Sequence, residues 1–176
     1  MRLNAAMAAL LAVSACLSAC SQGVPDTAPS AVASAPAVHP VSGLPVVPLT
    51  VTSGGKVHRF RVEVASSAEE QAKGLMFRTE MGADEGMIFP EEHPRRAAFW
   101  MRNTVIPLDI IYIGTDHRIL NIAANAVPYD ETPLPSAGLA SAVLELNGGR
   151  AAELGINPGD TVNWQAVQGS SGKEPR

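Results

Sequence analysis

Residues 108–125, "LDIIYIGTDHRILNIAAN", decide the fold. Leu108, Ile110 and Tyr112 alternate with Asp109, Ile111 and Ile113, so both faces of 108–113 are apolar apart from Asp109. A strand apolar on both faces belongs in the middle of a sheet that is covered on both sides. Thr115-Asp116-His117 is turn chemistry, and 118–124 reads as the returning strand of a hairpin.

Upstream, "AAFWMRNT" (97–104) reads as a strand that Pro107 ends, with Phe99, Met101 and Asn103 on one face and Trp100 and Arg102 on the other. On that reading Phe99 and Met101 pack in the core and Trp100 is a partly buried cap with Arg102 beside it. Asn103 and Thr104 begin a turn at the strand end. Downstream, residues 125–140 carry Pro128, Pro133, Pro135 and Gly138. A loop of that length in a small domain usually covers something. The last elements are a strand from "SAVLEL", a short helix over Asn147–Leu154 stopped by Gly155, a Pro158-Gly159 turn and a final strand.

Toward the N-terminus, "VVPLTVT" and "VHRFRVEV" alternate around Ser53-Gly54-Gly55, a hairpin signal. His58, Phe60, Val62 and Val64 share the inner face, with His58 at its rim; Arg59, Arg61 and Glu63 share the outer one. Ser67 with Glu70 is a capping box that opens a short helix ending near Gly74. "GLMFRTEMGADEGMIFPEEHP" (74–94) is expected to hold strand pieces around Met76–Arg78 and Met87–Phe89. These elements make residues 47–167 one β-rich α+β domain, a small barrel-like arrangement of short strands with two short helices.

The remaining residues have other compositions. "MRLNAAMAALLAVSACLSAC" is a charge-poor apolar run after Arg2, too short to span a bilayer, and residues 1–19 read as a signal peptide. Leu17-Ser18-Ala19-Cys20 resembles the bacterial lipoprotein processing box, with Cys20 the acylated residue and Val13-Ser14-Ala15-Cys16 a weaker match. An ordinary signal peptide with incidental cysteines is the bland alternative. Ser21 after the cysteine resembles a signal for outer-membrane sorting. Cys16 and Cys20 are the chain's only 2 cysteines, so no thiol remains in the domain for a disulfide, a metal or catalysis. Residues 20–46, rich in Ala, Pro and Ser, read as a tether with a reach on the order of 28 Å, and His39 within it as solvated. Residues 168–176 read as a disordered tail.

"EEQAKGLMFR", "DEGMIFP", "FWMRNTVIPLDIIYI", "VLEL" and "GINPGD" occur in order over about residues 50–165 and resemble the motifs of the domain-of-unknown-function family 192. The resemblance implies a single small, mostly β domain, often exported in bacteria, with no established reaction. One departure is Asp116-His117, where the family more often has an Asp-Gly turn. "ELGINPGDTV" is also similar to a turn-and-strand unit of small double-psi barrels.

Arg78, Arg102, Asn103, Asp109 and Glu145 form the candidate ligand site, with Asp160 read as a cap of its own turn. Asp109 needs a partner if buried, and Arg78 or Arg102 could hold it through two hydrogen bonds. A purely structural ion pair is the bland reading. The spare donors with Asn103 would make a cradle for a polar ligand under the 125–140 loop. Met76, Met81, Met87 and Met101, with Trp100 and His93, have the softness copper(I) prefers, but methionine more often fills cores, and no metal or cofactor is expected.

No nucleophile elbow, zinc-protease helix or phosphate-binding loop occurs. Net charge −4 without a basic run argues against nucleic acid. The sequence therefore predicts an exported lipoprotein, held to the membrane by lipidated Cys20, that binds a small polar ligand or an envelope component. A structural or protein-interaction domain is the alternative. An enzyme acting on envelope glycans or peptides is third and would need Asp109 and Glu145 to converge.

Overall fold

The computed structural model describes residues 37–165. The expected signal peptide, Cys20, most of the tether and the 168–176 tail lie outside the described residues. Ten strands and two short helices occur among the described residues: β1 (Ala37–Val38), β2 (Pro45–Ser53), β3 (Lys56–Val64), α1 (Ala68–Lys73), β4 (Glu85–Arg95), β5 (Ala98–Phe99), β6 (Leu108–Gly114), β7 (Ile119–Ala126), β8 (Leu134–Pro135), β9 (Ala140–Asn147), α2 (Arg150–Leu154) and β10 (Thr161–Trp164). The fold is β-rich α+β, as the alternation predicts.

Eight strands form one mixed sheet in the order β1-β2-β3-β4-β9-β6-β7, with β10 also paired to β2. β3 and β4 are parallel, and α1 lies in the crossover between them. The ends of the sheet approach each other, but among the described residues they are joined by a single β-bridge, Arg118 to Thr161, and the few hydrogen bonds around it, so the sheet is not a closed barrel. β5 and β8 form a separate two-stranded ribbon.

Both faces of the sheet are buried, and each has its own core. The inner core takes Leu49 and Val51 from β2, Phe60 and Val62 from β3, Ile111 and Ile113 from β6, and Leu144 and Leu146 from β9. The outer core takes Met87 and Phe89 from β4, Ile110 and Tyr112 from β6, Val143 from β9, and Leu75 and Met101 from the segments laid over it. Every residue of β6 is buried, which matches its two-faced sequence. Backbone approaches closely in this region. A Cβ on Gly86 would stand 2.5 Å from the Glu145 carbonyl oxygen, so β4 admits only glycine there.

Several local expectations hold. Ser67 and Glu70 form both halves of a capping box, and Gly74 ends α1. The β6–β7 turn puts His117 at φ 62, a left-handed conformation glycine adopts more freely, where the resemblance expects Asp-Gly. Asp160 accepts from the Asn157 N–H at 2.7 Å, within its own turn.

Other expectations are corrected. Residues 76–78 are not a strand: Met76 and Arg78 donate to Lys73 and Leu75 in successive turns. Gly74 (φ 46) starts this reversal, and Leu75 has to fold back onto the outer core. "AAFWMRNT" contributes only Ala98–Phe99 as strand, because its partner β8 is two residues long and Thr104 closes a turn onto Met101. α2 begins at Arg150, since Leu146 and Asn147 complete β9. β1 and the start of β2 occupy residues expected in the tether. His39 is mostly buried, 3.7 Å from Glu63, and is not a solvated tether residue.

Asp109 ties the fold together. It is fully buried, and its carboxylate accepts from the N–H groups of Asn125 (2.7 Å), Gly149 (2.9 Å) and Ala151 (2.8 Å). The first donor is set free by the irregular register of β7 against Leu108–Ile110. The other two belong to the start of α2, whose N-cap Gly149 has no side chain to offer. Asp109→Ala should therefore cost roughly 3 kcal/mol or more in urea melts, at about 1–3 kcal/mol per orphaned buried donor. Asp109→Asn should fall between. A loss below about 1 kcal/mol for the alanine variant would mean that the three donors find other partners.

Candidate functional site

The segment 97–107 and the loop 127–139 lie side by side across the outer core. They are joined at Ala98–Pro135 and Phe99–Leu134 and by Met101 donating to the Asp130 carbonyl at 2.8 Å. Tyr112 beneath them donates its hydroxyl to the Leu134 carbonyl. The long Pro-rich loop does cover something: the second face of the sheet. Met101 is 1% exposed, and Phe99 packs edge-on against Phe89 and Tyr112 with centroids 5.1 and 6.2 Å away. Trp100 remains 47% exposed, with the Arg102 guanidinium 4.5 Å over its ring. The face alternation read from the sequence thus survives from Phe99 to Arg102 without the strand and fails at Asn103, which is exposed.

The structure does not gather the five candidate site residues. Asp109 is on the inner side with its three backbone donors, so neither arginine is its partner. Arg78 instead makes a two-pronged pair with Glu63, at 2.9 and 3.1 Å, with both side chains nearly buried. Arg102 pairs at the surface with Glu131, at 2.8 Å. Asn103 is exposed in a left-handed turn (φ 54); its carbonyl accepts from Phe77 at 2.8 Å, and its amide reaches the Met76 sulfur at 3.8 Å. Arg102 and Glu145 do share one cleft. Asp109 and Glu145 cannot form a catalytic pair. Glu145 lies opposite Ile110 in the register and Asp109 opposite Leu146, so their side chains leave opposite faces of the sheet.

The cleft, about 380 Å³, opens between α1 and the 97–104 segment. Leu75, Met76, Phe89, Phe99 and Trp100 line it, with Gln71, Lys73, Arg95, Arg102 and Thr104 as polar members and Glu145 in its lining. Glu145 is 5% exposed, and no donor among the described residues hydrogen-bonds to its carboxyl. Burial alone pushes that carboxyl up to about 8. Two neutral donors of the lining are committed elsewhere: Gln71 to the Pro90 carbonyl at 2.9 Å, and Thr104 to the Arg102 carbonyl at 3.2 Å.

The methionines are packing residues of the outer core and its cleft. Met87 and Met101 are core residues, Met81 packs against the outer core, and Met76 lines the cleft. Glu63 and His39 were not legible as site-forming residues. Glu63 sits on the face of β3 that alternation assigns to solvent, and only the 74–79 reversal covers it. Phe77 and Tyr129, both exposed and both at φ 63, mark the loops around this surface. Such strain in bulky residues is a functional hint with no signal in the sequence.

The raised carboxyl fixes the sign of a pH effect. In the unfolded chain Glu145 ionises near 4.5, and in the fold near 8, so between those values the folded state holds a proton that the unfolded state has lost. Its contribution is present below pH 4.5 and is lost as pH rises through 8, at roughly 1.4 kcal/mol per pH unit. Glu145→Gln removes that slope. Urea melts from pH 5 to pH 9 should show the variant gaining on the wild type as pH rises; a constant difference would mean that Glu145 is ionised in the fold.

A family model, DUF192, described as an uncharacterized ACR, matches residues 49–164. Among solved structures, a protein of unknown function from Novosphingobium aromaticivorans DSM 12444 is 68% identical, with a TM-score of 0.73, over 75% of this chain and 94% of that one. A protein from Sinorhizobium meliloti 1021, provisionally called a transcription regulator, is 36% identical, with a TM-score of 0.67, over 69% of this chain and 95% of that one. No curated protein matches the chain.

Proposed function

This chain belongs to the DUF192 family of uncharacterised proteins, and on that premise we propose that its domain is a binding module for a small polar ligand. One observation carries the reading: Glu145, nearly buried and without a hydrogen-bond partner among the described residues, lines a cleft of about 380 Å³ walled by Phe99 and Trp100. A cleft with apolar walls and a few placed polar groups is the usual form of a small-molecule site. Glu145 costs folding energy wherever it is ionised, so a ligand that satisfies it adds more than its own contacts. Hydrolysis of envelope glycans by two carboxylates is disfavoured, because Asp109 serves the opposite face. The alternative, a protein-interaction surface, is supported by exposed Phe77, Trp100 and Tyr129.

We further propose that the domain works in the cell envelope, tethered through acylated Cys20 and sorted to the outer membrane by Ser21. The support is the order of the N-terminal sequence: basic residue, apolar run, Leu17-Ser18-Ala19-Cys20, then an Ala/Pro/Ser-rich stretch. One acyl chain alone gives reversible binding, and additional chains make the anchor stable.

Thermal melts against a small-molecule panel test the binding role. A true ligand at 100-fold over its Kd stabilises by about 2.7 kcal/mol, and Trp100→Ala should lose most of that gain. A panel in which no compound raises the wild-type midpoint sinks the small-ligand reading. For the anchor, cells fed labelled palmitate should mark the wild-type chain but not Cys20→Ser; label that persists in Cys20→Ser removes Cys20 as the acylated residue.

A further inference from the structure

The outer face of the sheet holds two buried glutamates in one register row. Glu63 on β3 lies opposite Met87 on β4, and Met87 lies opposite Glu145 on β9. Residues opposite one another in register project to the same face, so the two carboxyls flank Met87 on the same side. The environments then diverge. Glu63 is met by the Arg78 guanidinium at 2.9 and 3.1 Å and by His39 at 3.7 Å. Glu145 has open space in front of it, and no donor among the described residues reaches it.

Resting on the small-ligand reading above, the geometry points to a cationic ligand: the cleft takes an alkylammonium or guanidinium group, which pairs with Glu145 as Arg78 pairs with Glu63. The walls suit such a group. Phe89, Phe99 and Trp100 offer aromatic rings and Met76 a polarisable sulfur, and the apolar stem of the ligand would lie along Leu75. A carbonyl or anionic ligand would use only the protonated carboxyl and would leave the Phe89 and Phe99 rings without a cation, Trp100 already having the Arg102 guanidinium 4.5 Å over its ring.

The charged groups around Glu145 have to permit this. Arg102 is bonded to Glu131 at 2.8 Å and Arg95 to Glu91 at 2.6 Å, and neither of those glutamates lines the cleft. Two of the three cationic side chains in the lining are therefore already neutralised, which leaves Lys73 on α1. From β6, Tyr112 is held protonated, its hydroxyl pushed up to about 12 by burial first and by Glu145 in addition. Pairing converts Glu145 to the carboxylate, so its proton leaves to solvent as the cation binds. With the free carboxyl near 8, close to one proton per ligand is released at pH 7.

Isothermal titration calorimetry with n-butylammonium, methylguanidinium, n-butanol and n-butyrate, in two buffers of different ionisation enthalpy, tests this on the full chain. At least one of the two cations should bind, with proton release near one at pH 7 and an affinity at least tenfold weaker in Glu145→Gln. That variant is isosteric and neutral, and it is expected to fold at least as well as the wild type. Butanol or butyrate binding as tightly as the cations, with dependence on Glu145, overturns the cation assignment and leaves the cleft as a ligand site. None of the four probes binding overturns the cation assignment too, and failure of the wider panel as well removes the ligand reading itself.

Discussion

Burial of both faces of one sheet is the constraint on which the rest of this structure depends. β4, β6 and β9 run through the middle with an apolar core on each side. The inner core is made by the sheet itself as its ends approach. The outer core has no second sheet to meet, and so α1, the 74–79 turns, the 97–107 segment and the Pro-rich loop have to cover it. Short irregular segments bring many backbone polar groups over an apolar surface. That is why so many of the hydrogen bonds there, such as Met101 to Asp130 and Phe77 to Asn103, join one covering segment to another.

A two-faced sheet also makes every buried acid within it expensive, and three are present among the described residues. Asp109 is resolved by three backbone donors, Glu63 by a guanidinium, and Glu145 by neither. The first solution binds α2 and the β7 irregularity to the central strand. The second fastens the 74–79 reversal to β3. Removing one partner of such a buried pair costs several times what an exposed pair contributes, because the survivor stays desolvated. Asp109 and Glu63 are thus explained by folding. Glu145 is not, and that contrast selects it as the candidate binding group.

Much of the fold was legible because its signals are local. The two-faced β6, the 53–55 hairpin turn, the Ser67–Glu70 capping box and the Gly155 stop depend on residues within a few positions of one another. The failures share one cause, which is that covering segments are shaped by what they lie on. Phe99 to Asn103 alternate like a strand, but a partner only two residues long lets the chain turn at once. Arg78 reads in the sequence as a partner for Asp109, but the carboxylate that lies against it in space is Glu63. Glu145 is one of five candidates in the sequence, with nothing there to raise it above the others. Its distinction, the lack of a donor, is a property of its neighbours and not of "VLEL".

The same reasoning locates function in the covering segments rather than in the sheet. Glu63 and Glu145 are equivalent in the sheet: same face, same row, one strand apart from Met87 on either side. What separates them is the chain laid above. The 74–79 reversal carries Arg78 over Glu63 and closes it. The 97–104 segment carries Phe99 and Trp100 past Glu145 and sends Arg102 outward to Glu131, which leaves the acid open. Had Arg102 turned inward, Glu145 would be another structural pair and the cleft would be filled. The cation stacked on Trp100 is thus held at the surface by one carboxylate while another, buried, goes without. A fold selected only for stability would join them.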